Sequence, residues 1–70
     1  MHNVYTIHGA SMDGWLQYSD PALVRQDELK LWEFETAEEA AAFGLGLNYA
    51  NQVTDCKIYM LDEREYNVLN

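Results

Sequence analysis

The sequence predicts a small α+β domain: a three-stranded sheet with one main helix, at about residues 37–51, packed across one face. Three observations carry this expectation. Two segments alternate with the period of a strand, near residues 29–35 and 55–61. A third, residues 3–8, is rich in β-branched and aromatic types. Between the last two strands lies a helix start of unusual clarity, Thr36-Ala-Glu-Glu39, followed by apolar residues at helical spacing.

The elements follow in chain order. Asn3-Val-Tyr-Thr-Ile-His8 reads as the first strand, stopped by Gly9. Residues 9–28 are the least regular. Asp13-Gly14 is a turn signal. Trp15-Leu16-Gln17-Tyr18 reads as a short extended piece or an irregular aromatic plug. Asp20 can then cap a short helix with Pro21 in its first position. That helix does not run far past Gln26. Residues 29–35 form the second strand, with Trp32 and Phe34 toward the core and Leu31, Glu33 and Glu35 on the other face. Leu29 and Leu31 blur the alternation, so part of the second face is covered as well.

In the main helix, Thr36 is the N-cap, and Glu38 and Glu39 sit where the helix dipole favours negative charge. Ala40, Phe43, Gly44, Leu47 and Ala50 or Asn51 recur on one face. Each helical glycine costs about 0.5–1 kcal/mol relative to Ala, so Gly44 and Gly46 point either to close approach of a partner element or to a weak second half of the helix. Residues 55–61 make the third strand, with Cys56, Ile58 and Met60 on one face and Lys57, Tyr59 and Leu61 on the other. Asp62 caps a short final helix carrying Tyr66 and Leu69, in preference to a final strand. The first two strands are expected to be antiparallel neighbours. The third pairs with either of them, in a right-handed β-α-β unit if parallel or in an antiparallel arrangement.

Seventy residues make a single domain, residues 1–70, that buries only about 60% of its unfolded surface. Twelve acids against four Lys and Arg, a net charge of −8, argue against direct binding of nucleic acid or of an anionic membrane. No apolar run approaches the roughly 20 residues of a membrane span, and Met1-His2-Asn3-Val4-Tyr5 does not resemble a signal peptide. One cysteine, Cys56, cannot make an intrachain disulfide, and a reducing cytoplasmic setting is expected.

Neither a catalytic constellation nor a metal or cofactor site is expected. His2 and His8 share strand parity, but one lies at the chain end and the other at a strand end. Cys56 alternates with Ile58 and Met60 and reads as a buried structural residue. Ser11 and Ser19 belong to no Gly-x-Ser-x-Gly elbow, and Gly44-Leu-Gly46 lacks the rest of a phosphate loop.

What remains is surface. Asp27, Glu28, Glu33, Glu35, Glu38 and Glu39 face one cation, Lys30, within thirteen residues. Glu33 and Glu35 stand about 6.6 Å apart on one strand face. This acidic segment keeps a small protein soluble, or it docks on a basic partner. Trp15 and Tyr18 are either apolar anchors beside it or a plug over an open sheet face. In length, charge and the segment Trp32-Glu-Phe-Glu-Thr-Ala-Glu-Glu39, the chain resembles the small acidic proteins of phages and mobile elements, among them anti-CRISPR and anti-restriction inhibitors.

That resemblance implies a non-enzymatic inhibitor that blocks the basic nucleic-acid site of a CRISPR effector or another defence complex, by DNA mimicry or steric occlusion. It would act in the host cytoplasm if phage-encoded. Glu28, Glu33, Glu35, Glu38, Glu39, Trp15 and Tyr18 are then the expected partner-binding residues. The alternative expectation is a homo-oligomeric accessory protein, such as a homodimer, joined by sheet edges or by the glycine-bearing helix face.

Overall fold

The computed structural model describes residues 1–54 and 57–70. Three strands, β1 (His2–His8), β2 (Leu29–Phe34) and β3 (Ile58–Leu61), form one sheet in the order β2-β1-β3. Helix α1 (Gly9–Tyr18) follows β1, α2 (Ala37–Val53) joins β2 to β3, and α3 (Glu63–Leu69) follows β3. The expected α+β class and the main helix are observed. Both pairings are antiparallel: His2 to Ile7 of β1 face Phe34 to Leu29 of β2, and Tyr5 to His8 face Leu61 to Ile58 of β3. β2 and β3 are therefore parallel to each other and separated by β1, so the β2-α2-β3 connection is a split β-α-β unit.

Strand alternation divides the sheet into two faces. One face carries Tyr5, Ile7, Leu29, Leu31 and Leu61, and α1 and α3 cover it. Ile7, Leu29, Leu61 and Leu69 are its buried core, with Tyr5, Met12, Trp15, Val24 and Tyr66 packed around them. The opposite face carries Thr6, Trp32, Phe34 and Met60 and is covered by α2. There Phe43 meets Trp32 and Phe34 with ring centroids 5.0 and 5.2 Å apart. Trp32 and Phe34 thus turn toward the main helix as expected, but the buried hydrophobic residues lie on the other face, while fully buried Thr6 lies on this one.

α1 corrects the expectation for residues 9–18. Asp13 and Gly14 are inside a helix rather than a turn, and Trp15 to Tyr18 form its last turn, so Trp15 plugs the core from a regular helix and not from an extended or irregular segment. Ser11, Met12 and Trp15 fall at helical spacing and point inward. Gly14 packs closely under Leu23, where an added Cβ would lie 3.1 Å from the Leu23 Cβ. Gly9 turns the chain from strand to helix at φ 61°, where a side chain would run into Glu28. Ser19, in the left-handed region at φ 53°, ends α1 by donating its N–H to the Trp15 carbonyl.

The remaining expectations fall into place with small changes. Pro21–Leu23 forms one short 3₁₀ turn, capped by Asp20 accepting from Ala22 N–H, and Gln26–Glu28 forms a second. Thr36 caps α2 by accepting the Glu39 N–H at 3.2 Å, and its hydroxyl donates to the Glu39 carboxylate at 3.0 Å. The helix runs to Val53, two residues beyond the expected end. Gly44 is closely packed, with an added Cβ 3.3 Å from Met60 Sδ, but Gly46 faces open space, so close approach explains only one of the pair. Asp62 and Glu65 form a complete capping box on α3. The placement expected for Cys56 and the start of the third strand at Asp55 lie outside the described residues.

Candidate functional site

The acidic segment occupies the corner where β2 ends and α2 begins. Glu33 is the penultimate residue of β2, paired with Asn3 on the α1–α3 face of the sheet. Glu35 follows the strand end. Glu38 and Glu39 are in the first turn of α2, which packs on the opposite face. All four are exposed. The carboxylates therefore wrap around the strand end instead of forming one flat ridge. Among the described residues, the two ion pairs are Arg25–Asp27 at 2.9 Å and Lys57–Asp13 at 3.3 Å. Neither touches this corner, so its charge is not cancelled locally. Leu31, two residues before Glu33 on the same sheet face, is 44% exposed and supplies an apolar neighbour.

Two of the expected docking residues, Glu28 and Trp15, are turned into the fold, while Tyr18, also away from the corner, is exposed. Glu28 is half-buried and turned inward: its Oε1 accepts the Ser11 hydroxyl at 2.7 Å and the Ser11 N–H at 3.3 Å. Ser11 Oγ in turn accepts the Arg25 N–H at 2.8 Å, so this buried joint pins the start of α1 to the 3₁₀ segment. Trp15 is a structural plug. It packs on the aliphatic core, and its indole N–H donates to Glu65 at 3.2 Å. Tyr18, at the end of α1, is 65% exposed and the more accessible aromatic of the two. Sequence reasoning missed Leu31 as a surface residue because a leucine on a strand reads as core. The register, which sets Leu31 opposite Tyr5 at the sheet edge, is what leaves it uncovered.

The remaining polar cluster has a structural chemistry. Trp32 donates its indole N–H to Thr6 Oγ1 at 2.8 Å, and Thr6 Oγ1 lies 2.7 Å from His8 Nε2. Thr6 is fully buried. The chain is satisfied when Thr6 donates its own proton to an unprotonated Nε2, which places the ring proton of His8 on Nδ1. Burial and the nearby Lys30 ammonium hold His8 below its ordinary value of 6.5, against an opposing pull from Glu28. His8 and Ser11 are thus held by different partners. Among the described residues, no cluster of three His, Cys, Asp or Glu side chains is placed to hold a metal ion, and no helix is long and apolar enough to cross a membrane. No protein family, curated protein or solved structure matches the chain.

Proposed function

We propose that this chain is a non-enzymatic, acidic protein-binding module that inhibits or regulates a nucleic-acid-handling complex, of which a CRISPR effector or another defence complex is an example. Its acidic corner occupies a cationic channel and excludes the nucleic acid. The observation that carries the reading is the exposed set Glu33, Glu35, Glu38 and Glu39, four carboxylates around one strand end with no cation paired to them among the described residues. Arrayed like this, carboxylates present a potential complementary to a phosphate-binding groove, which speeds encounter and fixes orientation. Leu31 gives the corner an apolar contact, which charge alone does not supply at physiological salt, where screening acts beyond about 8 Å. Glu28 and Trp15 serve the fold.

The test is competition. The chain is immobilised, a bound complex is eluted by stepwise salt, and that complex is assayed for its DNA or RNA with and without the free chain. Binding is expected to weaken with salt and to displace the nucleic acid, and the double variant Glu33→Lys/Glu35→Lys to weaken it by about ten-fold or more. A complex indifferent to salt and to these reversals refutes the mechanism.

A further inference from the structure

The inner face of α2 lies on the sheet through Ala40, Phe43, Gly44, Leu47 and Ala50. The outer face carries Ala41, Leu45, Tyr49 and Val53 at four-residue spacing, with Ala42 and Gly46 beside them. Leu45, Tyr49 and Val53 are 70, 66 and 58% exposed. A solvated helix face normally carries its charges there. Here the only charge on the stripe is Glu38, in the first turn of α2; from residue 40 to 54 there is none, and all sixteen charged residues of the chain lie outside that stretch.

We propose that this face is a self-association surface, on which two copies pair through antiparallel α2 helices about a two-fold axis. Charge selects the occupant. Two chains of net charge −8 repel wherever their carboxylates meet, and the outer face of α2 past its first turn, residues 40–54, brings no charged side chain to the contact. A basic partner finds nothing there to recognise. The pattern is also self-complementary. With the axis at the middle of the helix, Leu45 meets Tyr49 of the second copy and Tyr49 meets its Leu45, while Val53 at each end lies over the small Ala41. Gly46 near the axis lets the two backbones approach closely.

The antiparallel sense follows from Glu38 and Glu39. A parallel pair would set four carboxylates side by side. The antiparallel pair separates them by the length of the helix, about 25 Å at 1.5 Å per residue, well beyond the Debye length of about 8 Å. A single helix pair of this length buries on the order of 500 Å² per copy, below the roughly 800 Å² of a standard interface, so the dimer is reversible and concentration-dependent.

Sedimentation equilibrium from about 10 μM to 1 mM tests the proposal. The mass is expected to rise from 8.1 kDa toward twice that value. Added NaCl is expected to tighten the dimer several-fold by screening the net charge, the opposite of its effect on a complex made through the acidic corner, so the two proposals fail independently. Leu45→Lys and Tyr49→Glu should each leave a monomer with unchanged circular dichroism, because both side chains are exposed. The double variant Leu45→Lys/Tyr49→Glu should restore the dimer by setting opposite charges across the axis. A wild-type monomer at 1 mM, a dimer that survives both single variants, or a double variant that stays monomeric overturns the proposal. So does a monomer that instead co-sediments with phosphatidylcholine vesicles through Leu45, which would assign the face to a lipid surface.

Discussion

The two faces of the sheet are built from different chemistry. Under α1 and α3, β1 and its neighbours contribute Ile7, Leu29 and Leu61, which close over Leu69 with no polar side chain among the four. Under α2, the same strands contribute Thr6, Trp32, Phe34 and Met60, an aromatic and hydrogen-bonded layer in which Trp32 stays 37% exposed. The first face removes apolar area from water. The second ties strands to one another through side-chain polar atoms and leaves its helix half uncovered. The difference teaches where stability and where adaptability reside: the aliphatic face holds the fold together, and the α2 face offers surface.

Truncation on the aliphatic side should therefore be the most damaging change. Ile7 is fully buried in the central strand, between Leu29 and Tyr59. Ile7→Ala removes its contacts and opens a cavity, a loss of about 2–5 kcal/mol. For a domain of this size that approaches the whole stability, which for folded proteins begins near 5 kcal/mol. Urea unfolding should show little or no native baseline. If Ile7→Ala unfolds no more readily than an alanine at Phe34, the ranking of the two faces is wrong.

The polar face should break more gently. Thr6→Val keeps the shape of the side chain but strips the hydroxyl from both Trp32 and His8. The orphaned groups reach water only in part, so the expected cost is about 1–2 kcal/mol. The midpoint of urea unfolding should fall with an unchanged slope, and the indole N–H resonance of Trp32 should shift. An unshifted resonance would mean that the Trp32–Thr6 bond does not order this face.

A smaller, pH-dependent effect sharpens the same point. His8 is held below 6.5, chiefly by burial and then by Lys30. Between that lowered value and 6.5 the unfolded chain takes up a proton that the folded chain resists. Stability should therefore be full above 6.5, decline as pH falls through this window, and level off, for this group, below the folded value. Protonated Nε2 would donate to Thr6 Oγ1, which already accepts from Trp32, and the Thr6 proton would lose its acceptor. Unfolding midpoints for the wild type and His8→Asn, compared between pH 8 and 5.5, should diverge at the alkaline end and converge at the acidic end. Parallel curves would remove His8 from the account.

Much of the fold is written in local chemistry. Thr36 and Asp62 are side-chain caps that act within three residues, so the starts of α2 and α3 are legible in the sequence. The β2 alternation is legible for the same reason. α1 is not, because Asp13-Gly14 carries a turn signal, and the crossing of Leu23 over Gly14 that favours a glycine inside the helix is a packing contact between two elements rather than a cap within one turn. The acidic corner was visible as composition. What composition could not supply was direction: Glu28 turns inward to Ser11 because the 3₁₀ turn Gln26–Glu28 lies against the start of α1, while Glu33 stays outside. The neutral stretch 40–54 is a matter of composition alone. Its meaning waited on which face of α2 meets the sheet.

The smallest expected effect compares the two glycines of α2, one on each side of that helix. At Gly46 an added Cβ meets nothing within 4 Å. Gly46→Ala therefore gains helix propensity without a clash, and should stabilise the monomer by about 0.5–1 kcal/mol. At Gly44 the Cβ would lie 3.3 Å from Met60 Sδ and 3.6 Å from its Cε. The thioether is flexible and can yield by a few tenths of an ångström, so the same gain is offset by displaced packing against β3. Gly44→Ala should thus fall below Gly46→Ala in thermal midpoint, with the difference lying wholly in contact with the sheet. Pairing each with Met60→Ala separates the contributions: the added Ala should then help at both positions equally, because the sulfur that distinguished them is gone. A gap between the two glycine variants that persists without Met60 would show that the inner face of α2 is tight for another reason.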